Sequence, residues 1–228
     1  MAATRSESLP HNRILASVGR EELAPLGLIR KGRSRTWLDD CGWWVGVVEF
    51  QPSSWSRGSY LNVGATWLWH DEHFLFFDLQ SRVQWRDEDG WHEFVRYETD
   101  EQFAAETRRL VNRAVESLRK LRGRLGTFED AARELLRDDD GFWSYFDAGV
   151  ALGLAGATAR AARCFERFAA ADAEYDWETE AQQRAAVLAD LLDRPARFRA
   201  EVEQAIRRFR SALKLDPNVD VFAECRSR

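Results

Sequence analysis

Residues 42–69 read GWWVGVVEFQPSSWSRGSYLNVGATWLW, and two runs of period two meet there across a turn. In the first, Trp44, Gly46, Val48 and Phe50 share one face and Trp43, Val45, Val47 and Glu49 the other. Apolar residues on both faces suit a central strand covered on both sides. PSSWSRG is turn chemistry. The second run puts Leu61, Val63, Ala65, Trp67 and Trp69 opposite Tyr60, Asn62, Gly64, Thr66 and Leu68. Two amides, Gln51 and Asn62, interrupt this otherwise apolar pattern on successive strands.

Working outward, residues 9–26 carry Leu9, Ile14, Leu15, Val18, Leu23 and Leu26 at helical spacing, and Gly27 follows as a stop. FLFFDL at 74–79 reads as a third strand, and RVQW with WHEFVRY as a hairpin across RDEDG. The sum is an antiparallel sheet of about five strands, and eight of the ten tryptophans lie between Trp37 and Trp91. At Thr99 the period becomes helical. TDEQ has the form of a capping box, and Phe103, Thr107, Leu110, Val111, Ala114, Leu118 and Leu121 form one stripe that would cover the sheet.

RGRLG at 122–126 is the candidate hinge, which divides the chain into a tryptophan-rich α+β domain over residues 1–125 and a helical domain over 126–228. Helices are expected at 127–137, 142–155, 158–171, 176–192 and 195–214. Tyr145, Ala148, Gly149, Leu152, Ala161, Phe165 and Phe168 fall at tetratricopeptide spacing, and Ala205, Phe209, Ala212 and Pro217 repeat half of it. The fold class is therefore α+β, a helix-covered antiparallel sheet followed by a tetratricopeptide-like helical domain.

A composition of 45% hydrophobic and 31% charged residues describes a globular chain, and a formal charge of -5 spread along it leaves no footprint for nucleic acid or an anionic membrane. No stretch approaches the roughly 20 apolar residues that span a bilayer. Cys41, Cys164 and Cys225 are odd in number and unpaired by spacing, which fits a reducing cytoplasm. Abundant Ala, Arg, Asp and Glu with few Lys point to a bacterial source.

Chemistry-bearing motifs are few. His70 and His73, with Asp71, Glu72 and Asp78, invite a metal, but residues three apart oppose each other on a strand, so HDEH is expected to be a polar turn without metal. His11 and His92 show no partners. RDDDG at 137–141 lacks the alternating ligands of a calcium loop and reads as a helix end followed by a cap. No phosphate loop, nucleophile elbow or paired catalytic cysteine is present, and no cofactor is expected. The basic cluster RKGRSR at 30–35, beside Trp37, reads as a charged edge strand, with phosphate or base contact as the alternative. Gln51 and Asn62 either satisfy the backbone of the PSSWSRG loop or line a pocket walled by Trp55 and Trp67; the first needs nothing beyond the chain itself.

The run LGLIRKGRSRTWLDD, followed by VGVVEFQPSSWSRGSYLNVGATW, resembles the bacterial family described as domain of unknown function 4304, over residues 10–120. The matched positions are Gly27, Lys31, Gly32, Arg33, Trp37, Gln51, Ser53, Tyr60, Asn62 and Gly64. The resemblance implies an α+β domain and no activity. It leaves the helical extension unmatched.

The function these features favour is a non-catalytic cytoplasmic module that binds another protein through its helical half, as an immunity, adaptor or defence-accessory protein would. The alternative is a small-ligand or nucleic-acid-processing site formed by Arg33, Arg35, Gln51, Trp55, Asn62 and Trp67.

Overall fold

The computed structural model describes residues 9–70, 72, 74–137 and 142–223. The chain forms two compact units, one of Met1–Thr66, Leu75–Leu121 and Arg226–Arg228, the other of Trp67–Phe74 and Arg122–Cys225.

In the first unit, α1 (Pro10–Glu22) starts with proline at its first position, where the missing N–H costs nothing. A 3-10 turn, Ala24–Leu26, ends at Gly27, whose φ of 84° favours glycine. The strands β1 (Ile29–Arg30), β2 (Thr36–Asp40), β3 (Trp44–Pro52), β4 (Gly58–Trp67) and β5 (Leu79–Arg82) lie side by side in chain order. A short hairpin, β6 (Trp85–Asp87) and β7 (Gly90–His92), stands apart from the sheet, and β8 (Phe94–Arg96) pairs with the beginning of β4.

The alternation in residues 44–66 thus places the two central strands, and Trp44 through Val48 are buried on both faces. α2 (Asp100–Arg124) covers one face. Its buried residues include Phe103, Thr107, Leu110, Val111, Ala114, Leu118 and Leu121, the stripe seen in the sequence. Glycines allow close approach of both helices: a Cβ on Gly46 would meet Leu118 at 2.9 Å, and one on Gly19 would meet the Trp37 indole at 2.7 Å. The Thr99 hydroxyl accepts the Gln102 N–H at 3.1 Å, while the Gln102 side chain accepts the Glu98 N–H at 3.2 Å, so the capping box is offset by one residue.

One local expectation is corrected. Residues 74–77 are not a strand: the Phe77 ring lies over Gly64, where a Cβ would be 2.5 Å away, and the ladder begins with Asp78 N–H donating to Ala65 O at 2.9 Å. The strand is the polar stretch Leu79–Arg82. Helix α2 runs through Arg124, into the segment expected as a hinge, and the division between the two units falls at Leu121 and Arg122.

The second unit contains α3 (Phe128–Leu135), α4 (Ser144–Leu154), α5 (Thr158–Ala169), α6 (Asp176–Ala189) and α7 (Pro195–Leu213), so an α+β sheet region is followed by a run of helices. Thr127 caps α3 by accepting the Asp130 N–H at 3.1 Å. RDDDG falls mostly on residues 138–141, outside the described residues. Small residues again set the packing: Gly149 of α4 lies under Phe165 of α5, and Gly153 under Phe198 of α7. Among the described residues, no helix is long and apolar enough to cross a membrane.

Candidate functional site

The two amides singled out by the sequence meet on the face of the sheet away from α1 and α2. Asn62 Nδ2 donates to Gln51 Oε1 at 2.9 Å and to Glu49 Oε2 at 3.2 Å. The register Asn62↔Arg82 brings Arg82 alongside, and its Nη2 donates to Gln51 Oε1 at 2.7 Å and its Nε to Asn62 Oδ1 at 3.3 Å. Nη1 reaches Glu93 Oε1 at 3.5 Å, and the guanidinium lies 4.2 Å above the Tyr60 ring. Asn62 is 1% exposed, whereas the Arg82 side chain keeps 30% of its surface in solvent. A buried amide therefore fixes the pose of a partly exposed guanidinium. Held in advance, such a group binds without the usual loss of rotamer freedom.

Tyr60 also packs on Phe94, with ring centroids 4.8 Å apart, and Phe94 lines a cleft of about 930 Å³ between the β6–β7 hairpin, β8 and α2. That volume is within the range of small-molecule sites. Arg96, Arg109 and Arg113 line it together with Glu98, Glu106 and Glu116. At its rim His92 Nε2 lies 2.7 Å from Asp87 Oδ1, and Trp85 stacks on the imidazole. The hydrogen bond to His92, chiefly, holds the Asp87 carboxyl below its ordinary range. His92 therefore has the partner that its surrounding sequence did not reveal.

The other residues expected at the ligand site lie elsewhere. Trp55 is 96% exposed at the tip of the β3–β4 turn, and the turn is held by the Ser53 hydroxyl, which accepts the Trp55 and Ser56 N–H groups at 3.1 and 3.3 Å. The two amides thus do not serve that loop. Trp67 is fully buried and stacks on Trp69 at 5.4 Å. Arg33 is exposed, and Arg35 donates to Asn12 on α1. Sequence reasoning missed Arg82, Glu49, Tyr60 and Glu93. Arg82 could have been found only from the register of β5, which the misplaced third strand concealed.

The second unit holds a separate polar cluster. His70 ends a 3-10 turn, Leu68–His70, rather than lying in a polar hairpin, and is 5% exposed. Its Nε2 is 2.9 Å from Asp147 Oδ1, to which Trp69 Nε1 donates at 2.7 Å. Trp143 packs edge-on against the imidazole at 4.5 Å, and the Arg184 guanidinium donates to the carbonyls of Trp69 and His70. His70 and Asp147 each offer an atom suited to a cation. His73, weighed from the sequence with His70 as a metal ligand and set aside, lies outside the described residues. The visible signal for Asp147 was a lone carboxylate within the apolar run of α4.

No family model, curated protein or solved structure matches this chain.

These placements overturn the protein-binding groove. Ala148, Leu152, Ala161, Phe165 and Phe168 are at most 2% exposed. They are the interior of the helical unit, so the tetratricopeptide-like spacing describes how helices pack on one another rather than a surface left for a partner. Convergent polar groups occur instead in the Arg82 network and around His70 and Asp147.

Proposed function

We propose that the first unit binds a small polar molecule with a planar amide or heteroaromatic edge, seated on Arg82 and Gln51 beside the Phe94 cleft. The carrying observation is the fixed, partly exposed Arg82 guanidinium, stacked on Tyr60 and braced by Gln51 and Asn62. A planar group would stack on the open face of the guanidinium and hydrogen-bond to the Gln51 amide. With Glu49 and Glu93 beside one arginine, the surroundings favour a neutral or cationic ligand over an anion. We also propose that residues 10–120 belong to the family described as domain of unknown function 4304, because Gln51 and Asn62 of the matched motif are the residues that meet at Arg82.

Saturation-transfer NMR on a panel of adenine, uracil, nicotinamide and acetamide tests the ligand class. At least one member should receive saturation from the wild-type protein and lose it with Arg82→Met. Equal transfer in both proteins, or none from the whole panel, would contradict the proposal.

A further inference from the structure

A second cluster lies on the opposite face of the sheet. Thr36 pairs with Glu49 and so shares the face of the Arg82 network, while Trp37, and Arg35 two residues before it, point to the other side. There Arg35 Nη2 donates to Asn12 Oδ1 near the start of α1. The neighbouring His11 is 6% exposed, packed edge-on against Phe103 at 6.4 Å and tilted on Tyr97 at 5.8 Å. His11 Nδ1 and Arg35 Nη1 are both shut off from solvent, and neither has a hydrogen-bond partner.

A buried guanidinium N–H without an acceptor bears the full cost of its desolvation, so the arrangement calls for an oxygen between these groups. The charges that act on His11 are cationic. Arg57 precedes β4, and its carbonyl accepts the Tyr97 N–H at 3.0 Å. Arg35 and Arg57 both act electrostatically on His11, and Arg57 and Arg13 on Tyr97. The nearby carboxylate, Asp100, is engaged by the Tyr97 hydroxyl at 2.5 Å. α1 begins here over 13 residues with no side-chain cap and no acidic residue in its first turn, which leaves the positive end of its dipole uncompensated.

We propose that this corner is an oxyanion site, in which a phosphate or carboxylate group accepts from Arg35 Nη1 and the His11 imidazole while exposed Arg57 supplies further positive charge. The site is independent of the Arg82 network and would admit a different ligand. Burial, chiefly, and then the charges of Arg35 and Arg57 lower the His11 pKa, which favours the neutral imidazole. A bound anion offsets those charges and favours the imidazolium, so binding raises the His11 midpoint and takes up a proton.

The test is an NMR titration of the four histidines, with the His11 signal assigned by His11→Gln. Sodium sulfate, standing in for phosphate, and sodium acetate are compared with sodium chloride at equal ionic strength. Sulfate or acetate should raise the His11 midpoint in a saturable way, and whichever acts identifies a tetrahedral or planar oxyanion. Arg35→Met should abolish the shift, and Arg57→Met, at an exposed position, should reduce it. The proposal fails if neither anion exceeds chloride, as expected were the site filled by water alone, or if the shift survives intact in a folded Arg35→Met. Should Arg35→Met not fold, an unchanged shift in Arg57→Met is sufficient to reject it.

Discussion

Replacing Gly149 with alanine separates a helix-packing interior from an open groove. In a helix interior the substitution gains about 1 kcal/mol of intrinsic propensity. Here the new methyl would lie 2.6, 2.8 and 3.0 Å from three ring carbons of Phe165, against the 3.4 Å or more of ordinary contact. Phe165 is 2% exposed and also packs on Phe146 at 6.2 Å, so its ring cannot swing into solvent. Overpacking of this kind costs about 1–3 kcal/mol. Gly123, helical in α2, supplies the control, because nothing lies within 4 Å of its added methyl. Gly123→Ala should stabilise by about 0.5–1 kcal/mol, less than the full propensity because it lies near the helix end. The difference between the two variants isolates the steric cost, expected at about 1–3 kcal/mol. Urea unfolding followed by circular dichroism measures both. If Gly149→Ala stabilises as much as Gly123→Ala, Phe165 does not close over Gly149, and the burial on which rejection of the groove rests must be reconsidered.

Asn62→Ala should lower stability by about 1–3 kcal/mol through loss of its buried hydrogen bonds, and urea unfolding would reveal it; an unchanged midpoint would mean that Asn62 does not brace Arg82. Asp147→Ala removes the shared acceptor of Trp69 and His70 from a buried site and should cost about 3–5 kcal/mol, read by the same method. Asp87, with its pKa lowered chiefly by the His92 hydrogen bond, contributes stability above the unfolded carboxyl pKa that is lost as pH falls through the folded value. His92→Gln should return the Asp87 titration, followed by carboxyl carbon NMR, toward the ordinary range. Cys164, buried on α5 with a thiol pKa raised chiefly by that burial, should react with iodoacetamide more slowly in the folded protein than in urea.

The sheet was legible because Trp44–Phe50 and Tyr60–Thr66 are apolar-rich runs at strand period, and α2 because its stripe from Phe103 to Leu121 keeps one helical face. Gln51 and Asn62 stood out because amides in apolar strands must find partners. Their partner Arg82 did not, because β5 is a short polar edge strand without the apolar residues that mark β3 and β4. Trp69 and Asp147 are 78 positions apart, and local periodicity carries no information about such a meeting. The spacing of Ala148, Gly149, Ala161 and Phe165 correctly implied paired helices, but spacing alone does not state which face remains in water.

The most direct test of the ligand site follows the ¹⁵N side-chain amide signals of Gln51 and Asn62 while adenine, uracil, nicotinamide and acetamide are titrated singly. A binding member should move the Gln51 amide in a saturable way, with a smaller movement at Asn62 and none in Arg82→Met. Amides that stay fixed with every compound, or that move equally without Arg82, would contradict a binding site on this network.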